Sequence, residues 1–303
     1  MRIPPFNPYT ALTLAVIAIS TSAIFVKMAE GAPASIIAAY RLLFATILLA
    51  PFVMVSYPKF FKNISVKNWL VCIGAGICLA LHFVFWFESL KHTSVASSVV
   101  IVSVQPIFAF IGTYIFFSER FSARVVISMF ITIIGAMIIA WGDFQFSGKA
   151  LFGDALALIG AITMTGYFLF GQQARKKIEL IPYTFVVYGI SACLLIGYNL
   201  VIQAPFFPYP ASHWTIFFLL AVIPTFLGHS IFNWALKWVS TATISMAAIF
   251  EPVGASLLAY IFLGELITWD QWLGGSIVLL GLLLFIVSTT RKREVTIYDN
   301  DSS

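Results

Sequence analysis

Leu90-Lys91, Ser94, Ala96, Pro106, Ala109, Tyr114-Ile115-Phe116, Glu119, Ile131 and Gly135 mark out one stretch of the chain. At 146 residues further on stand Leu236-Lys237, Ser240, Ala242, Pro252, Ala255, Tyr260-Ile261-Phe262, Glu265, Ile277 and Gly281, with no gap needed to align them. The chain is therefore an internal duplication, and each copy carries a proline in the middle of a long apolar segment.

The surrounding composition says where such a duplication lives. Of 303 residues, 61% are apolar and 10% charged, and the mean hydropathy is +0.99. Soluble domains carry about 25% charged residues. So much apolar surface calls for lipid, and the chain is read as a polytopic membrane protein whose first partner is the bilayer. Its net charge of +5 is scattered between apolar runs, which excludes a nucleic-acid-binding face. Cys72, Cys78 and Cys193 lie inside apolar runs, without the spacing of a metal site. No metal, cofactor, phosphate-loop or hydrolase motif is present, so neither a cofactor nor enzymatic activity is expected.

A membrane-spanning helix needs about 20 apolar residues. Ten runs qualify: Tyr9–Val26, Pro33–Ser56, Trp69–Leu90, Ser94–Phe117, Val125–Trp141, Leu151–Gly171, Pro182–Ile202, Trp214–Leu236, Ala242–Leu263 and Trp269–Ser288. The first is longer than a signal-peptide core and is read as a retained helix. Alternate loops collect the basic residues. One side has Arg2, Lys59, Lys62, Lys67, Arg120, Arg124, Arg175, Lys176, Lys177, Lys237, Arg291, Lys292 and Arg293; the other has Lys27, Lys91 and Lys149. The positive-inside rule then places both termini in the cytoplasm, as expected for a multi-pass protein of the plasma membrane. Five helices per half is an odd number, so Lys91 and its mate Lys237 fall on opposite sides. The fold class is an all-α integral membrane protein of ten helices, an inverted repeat of two five-helix halves. The halves are residues 1–144 and 145–290, followed by a cytoplasmic, disordered tail at 291–303.

Candidate site residues are those that cost most to place in hydrocarbon. Glu251 precedes Pro252 at mid-span, where a carboxylate costs roughly 2.5–3.5 kcal/mol on insertion scales. It is read as a substrate or proton site, or as a lock to a neighbouring helix. Its mate before Pro106 is Gln105. Arg41 lies about 12 Å into the second span at 1.5 Å per residue. It can snorkel, pair with Glu251 or hold a carboxylate, and Tyr40 stands beside it. His82, Trp86 and Ser89 share a face of the third helix; Thr225, His229 and Asn233 share one on the eighth, its repeat mate. Two such stripes on related helices suggest a common cavity. Each proline frees a carbonyl four residues back, that of Val102, Ala248 or Leu220 for Pro106, Pro252 and Pro224. Pro224 is read as a packing kink, and the matched pair as hinges. Glu119 and Glu265 are read as structural, and small-residue stripes in helices five and six (Ser128, Thr132, Ala136, Ala140; Gly153, Ala157, Ala161) as close helix contacts.

The segment from Ser89-Leu90-Lys91 through Gln105-Pro106-Ile107-Phe108-Ala109 to Ser118-Glu119-Arg120 resembles the first-half pattern of the EamA-type transporters, in the drug/metabolite transporter superfamily. Phe250-Glu251-Pro252-Val253 with Leu263-Gly264-Glu265 resembles the second-half pattern, and Tyr40-Arg41 fits too. The resemblance runs from about Tyr9 to Ser288. Leu266 departs from it, since the family often has a basic residue there. The resemblance implies a central cavity and the movement of small metabolites, amino acid-like or amphipathic, commonly outward. The expected activity is thus secondary transport of a small-molecule substrate by alternating access, with proton coupling at Glu251, in a monomer or a homodimer. An uncoupled facilitator or channel is the rival within that class. An intramembrane lipid-modifying enzyme using His82 and His229 as acid and base is a rival outside it, without a nucleophile or metal to support it.

Overall fold

The computed structural model describes residues 4–89, 91–93, 98, 101–139, 141, 148–264 and 266–301, with no side chains given for Leu263 or residues 290–301. The start of the fourth apolar run at Ser94, Ala140 of the fifth-helix stripe, and Glu265 lie outside the described residues.

The helices are α1 (Pro8–Met28), α2 (Ala34–Ser56), α3 (Val66–Ser89), α4 (Gln105–Phe117), α5 (Ala123–Ile139), α6 (Gly148–Arg175), α7 (Leu180–Val201), α8 (Ala211–Ala235), α9 (Thr241–Ala248 and Glu251–Leu263) and α10 (Trp269–Asp301); one extra turn, Phe60–Asn63, separates α2 from α3. Among the described residues eight spans are long and apolar enough to cross a membrane, and α4 and α5 are shorter apolar helices. The protein is thus an all-helical membrane protein in which the ten expected spans appear in order. The bounds of α10 take in residues 291–301, which the composition assigns to a tail.

Local signals explain the ends. Asn7 caps α1, its side chain accepting from Tyr9 N, and Ser240 caps the first part of α9 by accepting from Thr243 N. Ser122 accepts from Val125 N at the start of α5, and Gln271 reaches back to Thr268 N at the start of α10, as the capping-box spacing requires. The repeat extends to backbone dihedrals. Ser118 ends α4 with φ 56° and its mate Gly264 ends α9 with φ 69°, both left-handed.

The packing closes on itself when each helix is exchanged for its mate five places on. α3 packs on α6 as α8 packs on α1; α4 packs on α6 as α9 on α1; and α3 packs on α7 as α8 on α2. The pairs α2–α7, α4–α9 and α5–α10 map onto themselves and so lie along the pseudo-twofold axis. Buried side chains divide accordingly. One apolar cluster joins α1, α2, α3, α6, α7 and α8 and takes in Ile244 of α9; a second, around Met129, Ile133, Met246 and Val278, joins α4, α5, α9 and α10; a third, around Tyr40 and Phe217, joins α2 and α8.

The α5–α10 crossing is the tightest of these. A Cβ built on Gly135 would lie 2.7 Å from Val278 N and 2.8 Å from Gly274 O, and one built on Gly281 would lie 2.8 Å from Thr132 N. Thr132 and Val278 are themselves repeat mates, so the two contacts are one contact seen from both halves. The buried Ser128, Thr132 and Ala136 belong to this same close face. On α6, Gly153 meets the Thr93 backbone, with Ala157 and Ala161 fully buried along the same stripe. Close backbone approach supplies dispersion where no hydrophobic effect operates between helices. Gly135→Ala and Gly281→Ala are each expected to cost about 1–3 kcal/mol as overpacking, lowering the thermal midpoint of the detergent-solubilised protein. Gly197→Ala, where a Cβ meets nothing within 4 Å, should leave it unchanged.

Candidate functional site

Consecutive helical residues point about 100° apart, so Tyr40 and Arg41 serve different neighbourhoods. Tyr40 Oη donates to Phe206 O at 3.0 Å, and its ring sits 4.8 Å from Trp214 and 5.2 Å from Phe217. That aromatic cluster binds the α7–α8 connection onto α2, away from the polar centre. The structure therefore does not bring Tyr40 together with the other candidates.

Arg41 turns into the bundle and is buried. Its Nε donates to Thr225 Oγ1 at 2.7 Å and its Nη1 to Ser22 Oγ at 3.1 Å, while the guanidinium carbon lies 5.6 Å from the centre of the Phe83 ring. Among the described residues Nη2 has no hydrogen-bond partner. Arg41 does not snorkel. Thr225 holds it because of Pro224: the carbonyl of Leu220, which a proline four residues on cannot bond, accepts instead from Thr225 Oγ1 at 2.8 Å. The hydroxyl gives its proton to that carbonyl and its lone pair to Arg41. Pro224 is thus more than the packing kink read from the sequence. Around it, Ala221–Ser230 winds as a π-helix. The 225–229–233 spacing is consequently not one α-helical face. Thr225 serves α2, whereas His229 and Asn233 face Tyr167 of α6.

The two matched prolines do not bend continuous helices. Each lies in the first turn of a helix that starts afresh, α4 at Gln105 and the second part of α9 at Glu251. Proline suits that position, since its missing N–H would find no partner there. The restart is stitched from the opposite half. Ser20 on α1 donates to the carbonyl of Glu251, and Thr165 on α6 to the carbonyl of Gln105, both at 3.4 Å.

Glu251 and His229 are each only part-buried, with some of their surface accessible. The carboxylate of Glu251 makes no hydrogen bond or ion pair among the described residues; it interacts with Arg41 through space. Gln105 is buried, with its Nε2 unpartnered. His82 Nδ1 lies 2.9 Å from Gly160 O, so that nitrogen carries the proton and Nε2 is left to accept. Its ring stacks on Trp86 at 5.9 Å, and Trp86 Nε1 has no partner. His82 and His229 both feel the charge of Arg41. Asn233 is fully buried: Nδ2 donates to Tyr167 Oη at 2.6 Å and to Tyr188 Oη at 3.4 Å, and Tyr188 bonds Ser230 at 3.0 Å. It positions two tyrosines, Tyr167 and Tyr188.

The centre thus gathers Arg41, His82, Trp86, His229 and Glu251, with Asn233 behind them and Gln105 on the α4 side. Ser22, Tyr167 and Tyr188 belong there too, with a hydroxyl inside an apolar run as their only signal in the sequence; Phe83, whose ring lies under Arg41, carries no such signal. Arg175, counted above as a loop charge, is also buried. Its Nε donates to Asn233 O at 3.0 Å and its Nη1 to Ile178 O. Glu119 accepts from Gln172 Nε2 at 3.0 Å, and the other end of the Gln172 amide accepts from Thr241 N at 2.8 Å. Glu119 thereby ties the end of α4 to α6.

Comparison with known proteins agrees with this architecture. An uncharacterized transporter of Archaeoglobus fulgidus is 24% identical over 277 residues, covering 90% of this chain and 94% of its own. The uncharacterized transporter YwfM of Bacillus subtilis is 27% identical over 242 residues, 78% of this chain and 79% of its own. A solved crystal structure superposes with a TM-score of 0.80 at 15% identity, covering 94% of this chain and 98% of that one, which speaks for the fold alone. The EamA-like transporter family matches residues 8–141 and 151–287, one match per half. With two such matches spanning both five-helix repeats, the chain belongs to the EamA-like transporter family and is a membrane transporter, not an enzyme.

Proposed function

We propose that this transporter moves a small charged metabolite outward across the plasma membrane by alternating access, anchors a charged group of it at Arg41, and couples the movement to a proton carried by Glu251. One observation carries the reading. Glu251 and Arg41 interact through space, yet the carboxylate has no partner among the described residues and Arg41 keeps Nη2 unspent. A structural lock would have joined them. Buried ionisable groups left unpaired in a membrane bundle are held there for a ligand or an ion. Trp86, with an unpartnered donor, and His82 stacked on it supply a wall for an apolar part of the substrate.

Movement would come from the broken helices. α4 and most of α9 pack in the apolar cluster with α5 and α10, and α4 and the second part of α9 begin at Gln105 and Glu251. Rocking one cluster against the other around Glu251 and Arg41 exposes them to each side in turn. Both termini are assigned to the cytoplasm by the basic loops, the repeats to residues 1–144 and 145–290, and the assembly to a monomer or a homodimer.

Four outcomes are expected. In proteoliposomes, Glu251→Gln abolishes uptake or release driven by an imposed pH gradient while counterflow of labelled substrate persists; unchanged gradient-driven flux would remove the proton role. Arg41→Lys, which keeps the charge but loses the planar fork, weakens substrate affinity at least tenfold, about 1.4 kcal/mol, as read by substrate-induced thermal shift. Pro106→Ala and Pro252→Ala bias the facing state in opposite directions, measured by the labelling of cysteines placed near each mouth, and shifts of the same sign would refute the hinge assignment. Finally, cysteines replacing Lys91 and Lys149 are labelled by an impermeant maleimide on intact cells, and one replacing Lys237 is not.

A further inference from the structure

A cavity of about 410 Å³ lies apart from the polar centre, on the face of the bundle that carries both chain ends. It is walled by the α2–α3 connection and by the turn between α6 and α7. Tyr57, Lys59 and Asn63 come from the first, with Asn68 from the first turn of α3, and Lys177 and Glu179 from the second. Its single acid is occupied, since Tyr57 Oη donates to Glu179 Oε2 at 2.7 Å. That bond is the first of the causes that raise the Tyr57 hydroxyl above its ordinary value, so the phenol keeps its proton. The cations are not occupied: among the described residues neither Lys59 nor Lys177 has an acidic partner. Behind the turn, Arg175 is buried without a direct ion pair and adds its charge from below, interacting with Glu179 and Tyr57 through space. The amides of Asn63 and Asn68 complete a concave wall whose free groups favour an anion.

The rim decides which anion. Phe52, Met54, Val55, Phe61 and Leu70 are exposed apolar residues on the flanks of this face. A soluble anion gains nothing from such a skirt, whereas a lipid places its acyl chains on it and its phosphate in the cavity. Basic recesses between helix ends on the cytoplasmic side have the form that holds phosphorylated headgroups. From this cavity we infer a binding site for the phosphate headgroup of an anionic phospholipid of the adjoining leaflet, held by Lys59 and Lys177. The inference is independent of the transported substrate and of proton coupling.

The test uses the full protein in phosphatidylcholine nanodiscs, with and without phosphatidylglycerol at fixed ionic strength. Thermal midpoint and retained lipid by native mass spectrometry are the readouts. Phosphatidylglycerol should raise the midpoint of the unaltered protein. It should do so equally for K62Q/K67Q, which removes two exposed cations outside the cavity, and should fail to do so for K59Q/K177Q. Loss of lipid binding of about fivefold per lysine is expected from the usual attraction of one cation to an anionic surface. Attaching a bulky maleimide to Asn63→Cys should abolish the shift by filling the cavity, and this arm stands even if K59Q/K177Q is poorly folded. An equal loss in both lysine pairs would mean general surface attraction and overturn the site. A shift produced equally by inorganic phosphate in pure phosphatidylcholine would make the ligand a soluble phosphate and overturn the lipid assignment. Retention of the full shift in K59Q/K177Q, or after filling the cavity, would overturn it outright.

Discussion

A helix in a bilayer has no water to complete its backbone hydrogen bonds, so every interruption must be repaired from within the protein. This chain interrupts its helices at Gln105, at Pro224 and at Glu251, and the repair at Pro224 builds part of the polar centre. Thr225 mends the carbonyl of Leu220 and in doing so offers Arg41 an acceptor. Ser20 and Thr165 donate to the carbonyls at the two restarts, each crossing from the opposite repeat. A carboxylate at Glu251 then stands at the head of a helix segment, where the exposed N–H groups and the dipole favour negative charge.

The same logic shows where the two halves have diverged. Their framework is symmetric in packing, in left-handed caps and in the α5–α10 glycines. Their centre is not. Gln105 occupies the place of Glu251, and the π-helical stretch of α8 has Pro224 where α3 has Cys78. Arg41 has Val187 as its repeat mate, so only one half supplies the cation. A duplicated scaffold supplies the movement, and substitutions in one copy supply the charge.

Most of the fold was legible because it rests on lengths and periods. Ten apolar runs, an ungapped repeat and an odd number of helices per half lead to the architecture without any side-chain geometry. The site was legible only in its costly members. Arg41 and Glu251 stand out because charge in hydrocarbon is rare, and His82, Trp86 and His229 because polar-aromatic stripes are. What escaped was context. A proline in an apolar run reads alike whether it bends a helix or begins one, so the restarts at Gln105 and Glu251 were read as hinges within continuous helices. Arg175 follows a span and precedes two lysines, and its burial depends on the backbone carbonyls of Asn233 and Ile178 that no local pattern announces. Tyr40 sits next to Arg41 in sequence and faces elsewhere. The π-helical winding at Pro224 undid an α-helical wheel.

The glycine crossing of α5 and α10 sets a limit on how such a molecule can deform. Side chains that interdigitate can slip by changing rotamer, but backbones held within a Cβ radius of one another have no rotamers to change. The pair has to behave as a rigid keel, keeping its spacing constant through a transport cycle while helices around it tilt. Distances measured between probes on α5 and α10 would then serve as an internal ruler against which the excursions of every other helix can be read.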